Sequence, residues 1–238
     1  MGFILVNVGV IPARLKSIRF PRKILAPIHD KPLVVHVYER AQKAAKLDEL
    51  YVAIDSEETA EALKPYKVNT VMTFSDHLSG TDRVAEVVSE MDADVVVNIQ
   101  GDEPGMDPQL IDNLIKKFEE PNVHMATAAS TDLSAKDELD PNTVKVLVDN
   151  NNIAMAFRRE PRQYEMGGYY RHIGLYAFRK QALMKYTKMP QTENEKTYRL
   201  EQLRALDNGL PIHVILTDYT GRGIDTEEDL KAFLEKYG

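Results

Sequence analysis

Asp94-Val95-Val96-Val97-Asn98-Ile99-Gln100-Gly101-Asp102-Glu103-Pro104 opens as an apolar run of strand length and ends in a glycine and two acids. Asp107-Pro108 follows as a helix start, an N-cap and then proline in the first turn. Leu110, Ile111, Leu114, Ile115 and Phe118 then recur at helical spacing. A buried strand, a turn and an amphipathic helix form the repeating unit of an α/β protein with a mostly parallel sheet. In such sheets the ligand crevice lies at the carboxyl ends of the strands, where Asp102 and Glu103 stand.

The same rhythm extends toward the amino terminus. Phe3–Ile11 reads as a buried strand, with Leu50–Ile54 and Thr70–Thr73 as further strands. Leu33, Val37, Ala41 and Ala44 share a helical face over Leu33–Ala45, and Val84, Val87, Val88 and Met91 do so after Ser79. Beyond Phe118 the pattern changes. Met125–Ser130, Thr143–Val148, Ile153–Phe157 and His172–Phe178 are expected strands with few helices between them, a smaller β-rich lobe or sheet extension. A helix around Lys196–Asp207, a strand at Ile212–Leu216 and a helix at Glu227–Lys236 complete the chain. No internal repeat or linker interrupts it, so one unit is expected over residues 1–238.

Composition narrows the function. The 238 residues are ordinary for a globular protein at 43% hydrophobic and 28% charged, and no apolar run reaches the length of a bilayer span. No signal-peptide flanks are visible, and the absence of cysteine excludes disulfides and thiolate metal sites, which fits a cytoplasmic protein. A net charge of −7 argues against nucleic acid as a partner, because affinity there comes largely from neutralising phosphates. The six histidines lack metal-ligand spacing, and no Ser-His-Asp series is evident. His77 and His172 are the better functional candidates among them.

Four segments carry candidate chemistry. In Ile11-Pro12-Ala13-Arg14-Leu15-Lys16-Ser17-Ile18-Arg19-Phe20-Pro21-Arg22-Lys23, five cations fall within ten positions just beyond the first strand. That density suits an anion trap for a triphosphate, with a solvated basic loop as the alternative. No glycine-rich turn precedes a Walker lysine, so this is not a P-loop. Asp102, past a buried strand, is placed for magnesium, which takes one or two carboxylates plus phosphate oxygens; an ordinary acidic turn is the alternative. Ser79 and Asp82 in Ser79-Gly80-Thr81-Asp82-Arg83 have capping-box spacing, so a structural role competes with one near a nucleoside. In Gly223-Ile224-Asp225-Thr226-Glu227-Glu228-Asp229 the Thr226–Asp229 spacing starts a helix and leaves the Asp225 carboxylate for a ligand.

Together these segments resemble the CMP-Kdo synthetases, the 3-deoxy-manno-octulosonate cytidylyltransferases. The matching pieces are IPARLKSIRFPRK (11–23), HLSGTDR (77–83), NIQGDEP (98–104), RHIGLYAFRK (171–180), LEQLRAL (200–206) and GIDTEEDL (223–230). The first is shared by many sugar nucleotidyltransferases, whereas the later combination is more specific. The resemblance implies a doubly wound, mostly parallel sheet of the nucleotide-diphospho-sugar transferase type. Residues 1–120 would be the nucleotide-binding half, and 121–238 the sugar-binding half and dimerisation lobe. It implies transfer of CMP from CTP to the anomeric hydroxyl of an acidic keto sugar, with Mg2+ as cofactor and a homodimer as the assembly. Arg14 and Lys23 would hold the CTP phosphates, and Asp102 and Asp225 the magnesium. Pro12, Ala13, Ser79, Gly80, Asp82 and Gln100 would line the nucleotide. Gln100, Arg159, His172, Tyr176, Glu201 and Gln202 would line the sugar, with Arg159 on its carboxylate.

Three departures fall on the sugar side. Phe157-Arg158-Arg159-Glu160-Pro161-Arg162-Gln163 replaces the usual FSR-x-PIP, Tyr198 stands at a usually acidic position, and Gly221-Arg222-Gly223 precedes the final aspartate. A nonulosonic acid or an amino-Kdo therefore stays open as the sugar. A catalytically silent nucleotide-binding protein and a glycosyltransferase are the other readings, though the latter usually carries an Asp-x-Asp motif after a strand, where the nearest acids here are Asp102-Glu103. Tyr169-Tyr170 with Met166 is the sequence's hint of a dimer surface.

Overall fold

The computed structural model describes residues 5–17, 19–160 and 168–237. Its first elements are β1 (Asn7–Ala13), β2 (Pro27–Ile28), β3 (Lys31–Pro32), α1 (Leu33–Ala41), β4 (Glu49–Ile54), α2 (Glu57–Leu63), β5 (Thr70–Met72), α3 (Gly80–Val88), β6 (Val95–Asn98) and α4 (Pro108–Lys116). Strands β6, β1, β4 and β5 are neighbours in that order and parallel. Val8, Val10, Val52 and Val95–Val97 have no exposed surface, as expected where helices cover both faces of a parallel sheet. Each such side chain contributes roughly 1.5–3 kcal/mol by leaving water.

Helix α1 ends at Ala41, four residues short of the expected Ala45. A partner distant in sequence explains the stop: the Asp112 carboxylate of α4 accepts from the Ala45 and Lys46 amides at 3.0 and 2.8 Å. Helix α2 was not apparent in the sequence. Only Thr59 and Leu63 of its seven residues are buried, too few for a periodic signal, and the Ser56 hydroxyl caps its start. The two-residue strands β2 and β3 form a small separate antiparallel sheet.

The chain continues through β7 (Met125–Ser130), α5 (Ala135–Leu139), β8 (Lys145–Val148), β9 (Ala154–Arg158), β10 (Tyr169–Arg179), α6 (Lys180–Tyr186), α7 (Glu193–Tyr198), α8 (Leu203–Asp207) and β11 (His213–Thr217). Strand β10 runs antiparallel to β7 and β8, β8 pairs antiparallel with β9, and β11 lies parallel to β7. The single helix expected over Lys196–Asp207 is two. Arg199 adopts the left-handed conformation at φ 52° and breaks it. A buried ion pair joins the pieces, Glu195 accepting from Arg204 at 2.9 and 2.6 Å.

The last helix, α9 (Glu227–Tyr237), begins with the Thr226–Asp229 cap that the spacing predicts. Two compact units result: Met1–Asp112 with Gly221–Gly238, and Asn113–Thr220. The return of the chain to the first unit is anchored by the Ile224 amide, which donates to the Asp102 carbonyl at 2.7 Å. Among the described residues no helix is long and apolar enough to cross a membrane.

Candidate active site

Within the first unit, three residues from distant segments converge. Lys23 Nζ donates to Asp102 Oδ2 at 2.6 Å and to Asp225 Oδ1 at 2.8 Å, and Arg19 reaches the other Asp225 oxygen at 3.0 Å. Lys23 opens a one-turn helix after Arg22, which is left-handed at φ 58°. Asp102 follows Gly101, where a Cβ would lie 2.9 Å from the Pro12 carbonyl oxygen, so only glycine lets the turn pass this close. Gly223 packs against Asp102, where a Cβ would stand 3.4 Å from Oδ1, an ordinary contact.

The electrostatics follow from this packing. Burial is the largest influence on Lys23 and works to lower its pKa, but Asp102 and then Asp225 outweigh it and hold the ammonium above its ordinary range. For Asp225 burial likewise opposes ionisation, and the Lys23 hydrogen bond and charge with Arg19 hold the carboxyl below its ordinary value. Two carboxylates thus already share one cation. Such oxygen donors fit magnesium, whose remaining positions go to water and phosphate oxygens. No group of three or more His, Cys, Asp or Glu suited to a metal occurs among the described residues.

Around the end of β1, Arg14 is exposed, while the Leu15 amide donates to Asp55 at 2.9 Å. Asp55 pairs in turn with the buried Arg83 at 3.2 Å. Pro12 lies against Gly80, whose Cβ would stand 3.3 Å from the proline ring, so the residues before β1's exit and the start of α3 are neighbours. Ser79 and Asp82 form the reciprocal capping box, the Asp82 carboxylate accepting from the Ser79 amide and hydroxyl at 3.1 and 2.9 Å. His77 bonds to Glu86, which also receives the Phe74 amide, so this histidine ties its loop to α3.

In the second unit, Phe157, His172, Tyr176, Phe178 and Tyr186 form a continuous row of rings with successive centroids 5.1, 5.4, 6.3 and 5.7 Å apart. The Tyr186 hydroxyl donates to the Glu201 carbonyl at 2.8 Å and lies 3.5 Å from its carboxylate. Burial, followed by the Glu201 charge, raises the Tyr176 phenol well above its ordinary value. His172, Tyr176 and Glu201 are therefore brought together, with Gln202 buried next in sequence. Arg159 is tied to backbone carbonyls. Its guanidinium donates to the Pro141 carbonyl at 3.1 Å and the Arg199 carbonyl at 3.4 Å. Arg158 donates to the neighbouring Phe157 carbonyl at 3.0 Å. Pro161, Arg162, Gln163 and Met166 lie outside the described residues.

The family profile described as Cytidylyltransferase matches residues 8–214. A 3-deoxy-manno-octulosonate cytidylyltransferase of Solibacter usitatus is 44% identical over 229 residues, covering 94% of this chain and 91% of its own. Its namesake in Geobacter sulfurreducens is 42% identical over 244 residues, covering 96% and 98%. This chain belongs to the 3-deoxy-manno-octulosonate cytidylyltransferase family. A CMP:2-keto-3-deoxy-manno-octonic acid synthetase solved in complex with CTP superposes with a TM-score of 0.91 at 37% identity, covering 97% of this chain and 98% of that one.

Within this cytidylyltransferase, the mostly parallel α/β fold expected from the motifs is present. Sequence reasoning missed three residues that shape the second group. Tyr186 holds Glu201. Lys145, with no exposed surface, donates to the Asp140 and Arg159 carbonyls at 2.8 and 2.6 Å and pins the chain at Arg159. Burial lowers its pKa, with the Asp140 charge opposing. Thr127 is the third. Its one signal was a hydroxyl inside the apolar run Met125-Ala126-Thr127-Ala128-Ala129.

Proposed function

We propose that this cytidylyltransferase transfers CMP from CTP to the anomeric hydroxyl of 3-deoxy-manno-octulosonate, with magnesium as cofactor. The observation that carries this reading is similarity along nearly the whole chain to a CMP:2-keto-3-deoxy-manno-octonic acid synthetase complexed with CTP. The anomeric oxygen attacks the α-phosphorus, the bond to the β-phosphate oxygen breaks, and pyrophosphate leaves. Sugar carboxylate and triphosphate are both anionic, so charge repulsion is the main obstacle. Arg14 and Lys23 stabilise the phosphates as negative charge moves onto pyrophosphate, the kind of electrostatic positioning that dominates such transfers.

Asp102 and Asp225 are the residues to hold magnesium, which when bound supplies charge neutralisation at the phosphate oxygens. Their shared contact with Lys23 supports this, because two carboxylates that already attract cations suit a metal ion once the ammonium turns to phosphate. Pro12, Ala13, Ser79, Gly80, Asp82 and Gln100 form the nucleotide side. Arg159, His172, Tyr176, Glu201 and Gln202 form the sugar side. A cytoplasmic homodimer is the proposed form, and a monomer by light scattering at micromolar concentration would exclude the dimer.

The test incubates the protein with CTP, magnesium and a panel containing 3-deoxy-manno-octulosonate, its amino analogue and a nonulosonic acid. Pyrophosphate release is measured. The expected result is release with CTP and 3-deoxy-manno-octulosonate; equal rates with UTP, or no release with any sugar acid, would overturn the proposal.

A further inference from the structure

Thr127 lies on β7 with no exposed surface, opposite an irregularity in β10. Ile173 pairs with Ala128 and Tyr176 with Thr127, so Gly174 and Leu175 fall between two successive positions of β7. A bulge of this kind interrupts the ladder and re-aims nearby side chains. The Thr127 hydroxyl fills the interruption. Its oxygen lies 2.8 Å from the Leu175 carbonyl, 3.2 Å from the Ile173 carbonyl and 3.0 Å from His172 Nε2.

A hydroxyl has one proton to give. Were it given to His172, the Leu175 carbonyl oxygen would face the threonine oxygen at 2.8 Å with no proton between them, lone pair against lone pair in a buried place. The proton therefore goes to a carbonyl, Leu175 being nearer, and His172 Nε2 must be the donor to Thr127. A neutral imidazole has a single N–H, so Nδ1 keeps its lone pair. Burial and then the Arg171 charge push the His172 pKa down to about 3, which keeps the ring neutral. The edge of Phe157 and the tilted Tyr176 ring hold the imidazole plane.

We propose that Thr127 is a positioning residue that holds His172 as the Nε2–H tautomer, so that His172 recognises a hydroxyl group of the ligand through Nδ1 and repels a carboxylate. The proposal rests on the reading of His172 as a sugar-side residue. It assigns an orientation: the polyol end of the sugar acid meets His172, and its carboxylate lies elsewhere.

The experiment records 15N spectra of histidine-labelled full-length protein without ligand, His172 being assigned through His172→Gln. Sugar and CTP Michaelis constants are then measured for Thr127→Val and Thr127→Ser. The wild type is expected to show a neutral His172 protonated on Nε2 from about pH 5 to 8, the range in which an ordinary histidine titrates. Thr127→Val should lose the fixed tautomer and raise KM for the sugar acid by about tenfold, the scale of one neutral hydrogen bond, with KM for CTP nearly unchanged. Thr127→Ser keeps the hydroxyl and should restore both.

A wild-type His172 protonated on Nδ1, or titrating near neutrality, overturns the tautomer assignment whatever the substrate is. Equal KM changes for CTP and sugar, or a serine variant as impaired as valine, overturn the positioning role. Should Thr127→Val fail to fold, the wild-type spectrum and Thr127→Ser still decide. If no sugar acid is used, the proposed function fails, and the spectrum still judges the tautomer.

Discussion

Lys23 and Asp225 stand 202 positions apart and meet at 2.8 Å, with Asp102 on the same ammonium at 2.6 Å. Lys23 opens a one-turn helix, Asp102 lies in the turn between β6 and α4, and Asp225 lies in the turn before α9. The Ile224 amide on the Asp102 carbonyl and the packing of Gly223 lock the two acidic turns together.

Asp102→Asn and Asp225→Asn should each leave the fold intact and remove most activity. Losing one anionic donor weakens magnesium binding and raises the barrier by several kcal/mol, so turnover falls about a hundredfold or more. Circular dichroism checks the fold and pyrophosphate release the rate. Near-normal turnover of either variant at millimolar magnesium would remove the metal assignment.

Arg159→Lys should raise KM for the sugar acid about ten- to a hundredfold, from roughly 1.5–3 kcal/mol of lost charged hydrogen bonding, with KM for CTP little changed. Lysine cannot reproduce the two-point fork of guanidinium. Arg158→Ala is the control for register. If it damages sugar use while Arg159→Lys does not, the pocket has been drawn one residue out of place.

Acid should destabilise the protein beginning near pH 6.5. The folded His172 has a pKa of about 3 against an ordinary 6.5, so between those values the unfolded chain binds a proton that the folded chain does not. Stability therefore rises with pH across that window, by at most about 1.4 kcal/mol per pH unit from this group. His213, lowered by burial and then by Lys117, acts in the same direction. Urea denaturation of His172→Gln should show a shallower pH slope between about 4 and 6; an unchanged slope would show that His172 is not buried neutral.

Glu195 and Arg204 are 5% and 3% exposed and paired at 2.6 Å, across the break at Arg199. Glu195→Gln leaves a buried guanidinium unpaired and should cost about 3–5 kcal/mol. Burial opposes ionisation of Glu195, but the Arg204 bonds prevail and hold its pKa below 4.5. Its stabilisation is thus complete above 4.5 and lost as pH falls through the folded value. Denaturation of the variant should lack that acid-limb loss. A cost under about 1 kcal/mol would place the pair among ordinary surface bridges.

What the sequence by itself determined were features written within a few residues of one another. Met125–Ser130 reads as a strand and is one, because all six residues are buried, while the Ser79–Asp82 and Thr226–Asp229 spacings close as caps within a single turn. The motifs that carry the family resemblance are local in the same sense. Tertiary structure alone decided the rest. The stop of α1 depends on Asp112, the split at Arg199 spans a buried pair, and the proton on His172 depends on a bulge in β10 facing Thr127. Those outcomes turn on which strands are neighbours and in what register, and hydrophobic periodicity within a segment carries no information about either.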